Sequence, residues 1–404
     1  MVRAHSLLYA IFVCLIVAVL CAGLLYAANL YNQLNVYYNT HEELYIHNQS
    51  LVNYALGEMQ ESGSLPLDEN EGIESAYETK PYGLLQLIIA HSFIKGDTVT
   101  SSHFAVPNTV DKTCVFLTNT NRPLTYSGDV VLVGNKKLPS TFIKPVHIDN
   151  RPNHLEKNVG QVQVSETKLP DMNQQLKDAF SINSAQSFEL QEVVKSDSVF
   201  FNSFRNPLLE LRLKGNELGN VNIKGNVLIT GTDSILIKKT ARLEDVIIKA
   251  SKIYFEEGFE GTLQAFAGTK IETAKGVRLN YPSALCVNNT SANKGGILLK
   301  EGSVVNGALV LCGNEMQMLE NNIMFIEKEG LITGSIYCTG RLVLQSDVKG
   351  SVYTNWFVHK TASTGYDNCL ADIEINVLKR PQFFIPLPLL DNSNKSYETI
   401  KKVM

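Results

Sequence analysis

The side chains with most chemical capacity in this 404-residue chain are few and scattered. His147, Asp149 and His154 lie together in Val-His-Ile-Asp-Asn-Arg-Pro-Asn-His, and two imidazoles with a carboxylate can hold a transition metal. Their spacing matches no established ligand pattern, and the polar, proline-containing context is that of a surface loop. Carboxylates are the second candidate. Glycoside hydrolysis needs two of them flanking the scissile bond, and calcium-dependent sugar chemistry needs them beside a basic residue. Between Gly219 and Phe357 the only aspartates are Asp233, Asp245 and Asp347, and there is no histidine. Glu256, Glu257, Glu260, Glu327 and Glu329 cluster at expected turns, where they read as solvated charges. HExxH, P-loop, dinucleotide and GxSxG motifs are absent. The residues therefore nominate no catalytic, cofactor-binding or metal-binding group, no cofactor is expected, and the chain reads as a non-enzyme.

Cysteine chemistry is equally sparse. Cys14 and Cys21 fall in an apolar amino-terminal run, leaving Cys114, Cys286, Cys312, Cys338 and Cys369, an odd number that leaves at least one unpaired within the chain. No CxxC or Cys/His cluster at zinc spacing occurs. Cys286, Cys312 and Cys338 recur every 26 residues in Ser-Ala-Leu-Cys, Leu-Val-Leu-Cys and Ser-Ile-Tyr-Cys. They read as a structural ladder, since buried cysteine packs as a small hydrophobe. Asn-x-Ser/Thr triplets at Asn48, Asn288, Asn289 and Asn394 matter only in a eukaryotic secretory pathway.

The elements that would position these residues begin with the membrane. Hydrophobic residues make up 44% and charged residues 19% of the chain, which is the composition of folded domains and excludes disorder. The formal net charge of -4 gives no global attraction to nucleic acid. Leu7 to Leu30 contains no charged residue, and a helix of about 22 apolar residues extends roughly 33 Å, enough to span a bilayer. The run is long for the apolar region of a cleaved signal peptide. Arg3 precedes it and no Lys or Arg follows until Lys80, so the positive-inside bias places residues 1–6 in the cytoplasm and 7–30 in the membrane.

Residues 31–79 read as a juxtamembrane helix, with Leu34, Tyr37, Tyr38, Leu44, Tyr45, Leu51, Tyr54, Ala55 and Met59 near helical spacing, then an acidic linker from Asp68 to Glu74. Residues 80–206 read as an irregular β-rich domain, with strands at Val130–Val133 and Val159–Val164 and a short helix over Pro170–Phe180. From 207 to 360, short β-branched runs alternate with glycine-containing breaks. Ile235, Ile253 and Ile271 are 18 apart, and Gly334-Ser-Ile-Tyr recurs as Gly350-Ser-Val-Tyr after 16 residues. Strands this short must stack on their neighbours, so a parallel β-helix with coils of about 16 to 18 residues is expected, enlarged by loop insertions around the cysteines. Residues 361–404, rich in proline from Pro381 to Pro388, read as a cap or tail.

The fold class is thus mainly β: an N-terminal transmembrane helix, an irregular β-rich middle domain and a C-terminal parallel β-helix. A single amino-terminal span running into an extracellular helix resembles minor pilins and pseudopilins, although Arg3-Ala-His-Ser-Leu-Leu-Tyr lacks their glycine–phenylalanine cleavage site and early glutamate. The coils such as Gly334-Ser-Ile-Tyr resemble polymer-forming β-helices of the bactofilin type over about 140 residues. These resemblances imply a non-catalytic, single-pass protein of the bacterial inner membrane, its bulk periplasmic or extracellular. It would assemble with itself or other envelope proteins and bind no nucleic acid. The alternative is a carbohydrate-binding or carbohydrate-modifying surface protein, with glycan as its partner.

Overall fold

The structure, a computed structural model, describes residues 2–65, 72–94, 96–108, 112–148, 152–195, 198–291, 293–313, 321–361, 364–391 and 396–404. The chain is mainly β with one long amino-terminal helix, and it divides into two compact units. The first comprises Met1–Ala55, Gln60–Glu78 and Ile89–Ser101; the second comprises Leu56–Met59, Thr79–Ile88 and Ser102–Met404.

In the first unit, Val2–Glu58 is one uninterrupted helix as far as the unit boundary at Ala55. The apolar run and the juxtamembrane segment are therefore continuous, as the absence of Pro and the single Gly23 in the run allow. Its two halves differ in what they touch. Leu7 to Tyr38 project large apolar side chains outward, whereas Leu44, Leu51, Val52 and Ala55 are at most 2% exposed. Those four, spaced at 3, 4 and 7, make the stripe of a helix packed on a sheet. Within that packing Asn48 is fully buried, and its amide donates to the carbonyls of Ala90 (3.0 Å) and Val99 (3.3 Å) while Ser101 donates to its side-chain oxygen. His47 meets the Ser92 hydroxyl, and the Tyr54 and Tyr77 rings pack edge-on. Pro66 and much of the expected acidic linker lie outside the described residues.

Strands Glu74–Tyr82, Leu85–Ile94 and Asp97–Pro107 are neighbours in a five-stranded sheet, with Ser62–Gly63 antiparallel at one edge and Tyr397–Val403 antiparallel at the other. The remaining strands, all in the second unit, form a predominantly parallel ladder. Its first column runs through Gln186–Glu189, Leu209–Arg212 and Val227–Thr230. It continues through Arg242–Phe255, Glu260–Thr273, Arg278–Asn289, Val304–Gly313, Leu331–Leu344 and Asp347–Lys360. β-Bulges such as that between Glu244 and Val246 redirect these long strands without ending them. The expected short periods are real registers: Ile235 pairs with Ile253 and Ile253 with Ile271, while Gly334, Ser335, Ile336 and Tyr337 pair with Gly350, Ser351, Val352 and Tyr353. Inside, Ile235, Ile253, Ile271, Ile297, Met324, Leu342 and Phe357 succeed one another in register, none more than 1% exposed. Each such side chain stabilises the stack by about 1.5–3 kcal/mol of apolar burial.

After Asp347–Lys360 the ladder departs from chain order. The next strand is Thr113–Leu117, with Val115 on Val352, followed by Asn135–Leu138 and Val162–Val164. Beside it, Cys369–Asn376 pairs with Thr125–Val133, which pairs with His154–Val159. The stretch 80–206, read from sequence as a β-rich domain of its own, thus supplies strands to both sheets. Val159–Val164 is two strands, His154–Val159 and Val162–Val164, because Gly160 takes a φ of +105° between them. The helix expected over Pro170–Phe180 is shorter, Gln174–Ala179, because the Asn173 side chain caps it by accepting from Gln175 N.

Two irregular segments travel back along the ladder. Pro170 accepts from the Tyr337 hydroxyl at 3.1 Å, Phe180 packs edge-on against Phe266, and Ser184 donates to the Leu208 carbonyl. The proline-rich segment runs alongside: Arg380 donates to Ser351, Ile385 accepts from Tyr281, and Leu390 bridges to Met172. It is therefore a strap, with Leu387 and Leu389 buried, although Phe383 remains 87% exposed. The chain then closes with Tyr397–Val403, where Lys401 bonds the Asp245 carboxylate at 2.6 Å.

Candidate assembly surfaces

Among the described residues, one helix is long and apolar enough to cross a membrane, and its most apolar stretch is wholly unburied. The side chains that could face lipid include Leu7, Ile11, Leu15, Leu20 and Leu24, each at least 59% exposed. Cys14 and Cys21 lie on this segment with free thiols.

The ladder supplies the other candidate surfaces, at its two ends. Among the described residues, Gln186–Glu189 pairs along the ladder only with Leu209–Arg212, and Val199–Asn202 only with Asn222–Gly225. These two strands are the last rungs at this end, and a terminal strand edge can template another strand, although at Gln186 the Ser184 hydroxyl already accepts from the backbone N–H and donates to the carbonyl. Phe188, Val199 and Phe201 stand 48%, 56% and 49% exposed here, while the short helix Leu190–Val193 turns Leu190 into the core. At the opposite end, His154–Val159 and Val162–Val164 likewise pair on one side only, and Val159, Val164 and Phe142 are exposed.

Just inside that second end sits a group no sequence pattern announced. Lys136 is fully buried, and its ammonium donates to the carbonyls of Gly134 and Val159, each at 2.8 Å. Burial lowers its pKa, because the charged form loses hydration that two carbonyls only partly replace. One of two adjacent lysines, Lys136 and Lys137, carries no sequence signal of burial; only its place on the inward side of a strand creates one.

The residues singled out from sequence are dispersed. His147 lies within 3.5 Å of the Asn153 amide, His154 opens a ladder strand opposite Asp129, and Asp149 lies outside the described residues. Among the described residues, no three His, Cys, Asp or Glu side chains converge as a metal site would require. The carboxylates are engaged mainly between successive strands: Asp233 faces Lys252, Asp245 binds Lys401, Glu256 accepts from Lys239 N, Glu260 from Asn280, and Glu327 from Lys300. Asp347 accepts from the backbone N–H of Glu374. Exposed pairs of this kind tie neighbouring strands at little net stability.

Cys286, Cys312 and Cys338 are buried free thiols, but the register does not stack them on one another. Cys286 pairs with Val310, Cys312 with Asn288, and Cys338 with Leu311. Cys338 joins the inner core, whereas Cys286 lies on the other face of its strand. Burial pushes the Cys312 and Cys338 thiols up to about 12 and that of Cys286 well above its ordinary value, so they are inert at neutral pH.

No family model matches the chain, and no curated protein matches it in sequence. Among solved structures, the crystal structure of the competence-associated pilin ComZ from Thermus thermophilus is similar at 11% identity, covering 91% of this chain and 94% of that one, with a TM-score of 0.19. A superposition that loose does not establish a common fold.

Proposed function

We propose that the chain is a non-catalytic, pilin-like assembly subunit of the bacterial inner membrane, anchored by its amino-terminal helix with the amino terminus in the cytoplasm. We read the parallel ladder as a β-helix held outside the cytoplasm, and the partner as a second copy of the chain or another envelope protein presenting a strand. The observation that carries this reading is the pair of open ladder ends. A parallel ladder is directional, so the unpaired edge of Val162–Val164 on one copy is complementary to that of Gln186–Glu189 on the next. Such a contact is head-to-tail, and repeating it extends a chain of subunits. The protein's own topology supplies the precedent. Thr113–Leu117 already extends the ladder by adding to Asp347–Lys360 from a distant part of the chain. The exposed apolar half of the long helix would gather the same subunits within the bilayer.

Light scattering of the full chain in detergent micelles, across protein concentration, tests this. The expected result is a mass that rises with concentration, and that falls to one chain per micelle when Phe188 and Phe201 are both changed to Lys. A single-chain mass at every concentration in the unaltered protein overturns the proposal.

A further inference from the structure

The second unit contains a cleft of about 540 Å³ that the assembly surfaces do not use. Its volume lies in the range of small-ligand sites. The floor is made of small residues from successive strands: Gly231, then Ala250, then Ala267 and Gly268, with Ala250 and Ala267 in register. Where larger side chains would have filled this corner of the ladder, these leave a recess. The returning segment after Gln174–Ala179 forms the opposing wall, where the Phe180 ring meets Phe266 edge-on at 5.5 Å and 83°.

The polar groups lining the recess are uneven in charge. Among the lining residues Lys249 is the one cation and none is a carboxylate, but Glu210, which accepts from Thr230, stands close enough behind the wall to act on that ammonium. The Lys249 ammonium donates to the Ile182 carbonyl at 3.0 Å, which uses one of its three donors. Thr230 donates its hydroxyl hydrogen to Glu210 at 2.8 Å, so its oxygen is left to accept from a ligand. The side-chain amides of Asn183 and Asn288 have no protein partner among the described residues. Burial lowers the Lys249 pKa, and the nearby Glu210 carboxylate offsets only part of that effect, so the cation is incompletely compensated.

We propose that this cleft binds an acidic oligosaccharide. One uronate carboxylate would sit on the Lys249 ammonium, the C–H face of a sugar ring on the half-buried Phe180, which Phe266 backs from within the core, and ring hydroxyls on Asn183, Asn288 and Thr230. Amides and hydroxyls that both donate and accept suit a ring bearing hydroxyls at several positions, and a single ammonium suits one carboxylate. A phosphodiester chain would meet only one cation here, where its regular charges call for several.

Calorimetric titration of the full chain in detergent micelles tests the site, using a tetrasaccharide of alternating glucuronate and N-acetylglucosamine against the neutral N-acetylglucosamine tetramer. The acidic ligand should bind saturably and about tenfold more tightly than the neutral one, the factor a charge-assisted hydrogen bond supplies. Lys249→Met, which keeps the stem and removes the charge, should abolish that preference. Asn183→Asp, at an exposed position of the rim, should weaken the acidic ligand about tenfold without moving the melting temperature, and it preserves the test should Lys249→Met fail to fold. No saturable binding of the acidic tetrasaccharide, equal affinity for both ligands, or affinity unchanged in Asn183→Asp overturns the proposal.

Discussion

Gly334→Ala should be among the most disruptive single-atom additions in the chain. Gly307, Gly334 and Gly350 are consecutive register partners, and each sits with its α-carbon over a carbonyl of the strand before it. A Cβ on Gly334 would lie 1.8 Å from the Gly307 carbonyl oxygen, a backbone atom that cannot rotate away. The φ of Gly334 is +136°, where an L side chain is strained even with room to spare. Relief requires neighbouring strands to separate, which breaks parallel hydrogen bonds on both sides of the site. Backbone strain of about 1–3 kcal/mol and overpacking of about 1–3 kcal/mol place the loss at about 2–6 kcal/mol. At about 2 °C per kcal/mol for a unit of this size, the far-ultraviolet circular dichroism melt of the full chain should fall by about 4–12 °C. Gly268→Ala is the control, because the nearest atom to its added Cβ is the Ser251 Cα at 3.7 Å, an ordinary contact. It should melt within about 2 °C of the parent, as substitutions without a mechanism of damage do. If Gly334→Ala melts as the parent does, or if both variants fall equally, the register and close approach described here are wrong.

Three further outcomes follow from the packing. The thiols of Cys312 and Cys338, raised to about 12, stay protonated in the folded chain while unfolded thiols ionise near 9, so folding stability should fall as pH rises from about 9 to 12; alkaline melts of Cys312→Ala should lose part of that slope, and maleimide should label these sites only after denaturation. Lys401→Met leaves the largely buried Asp245 carboxylate without its 2.6 Å partner, at a cost of about 1–3 kcal/mol after allowance for lysine's exposure; hydrogen exchange in 397–403 should speed by about fivefold to a hundredfold. Asn48→Leu removes the helix's hydrogen bonds to Ala90 and Val99 and strands buried polar groups, costing about 1–3 kcal/mol, with faster exchange at residues 44–55 as the readout.

The features legible in the sequence are those whose physics is local. The run Leu7 to Leu30 declares itself by composition, because a bilayer asks only for length and apolarity. The spacings of Ile235, Ile253 and Ile271, and of the two Gly-Ser-β-branched-Tyr segments, declare the ladder because neighbouring strands there are one short period apart in sequence. The cysteines mislead for the complementary reason. The segments between Arg278–Asn289, Val304–Gly313 and Leu331–Leu344 differ in length, and a bulge between Leu279 and Ser283 shifts the first register, so Cys286 meets Val310 and Cys338 meets Leu311, and an equal spacing in sequence does not give equal places in the register.

What the tertiary structure alone decides is every partnership between distant segments. Ser351 bonds the Thr113 carbonyl across 238 positions, and no periodicity could report that an early segment completes the far end of the ladder. The burial of Lys136, the pairing of Asp245 with Lys401 and the cleft under Phe180 all arise from such closures. A sequence fixes the preferences of each short segment, apolar or polar, extended or helical. Which segments meet depends on the free energy of burying them together, a property of pairs that spacing records only when the pair is near in the chain.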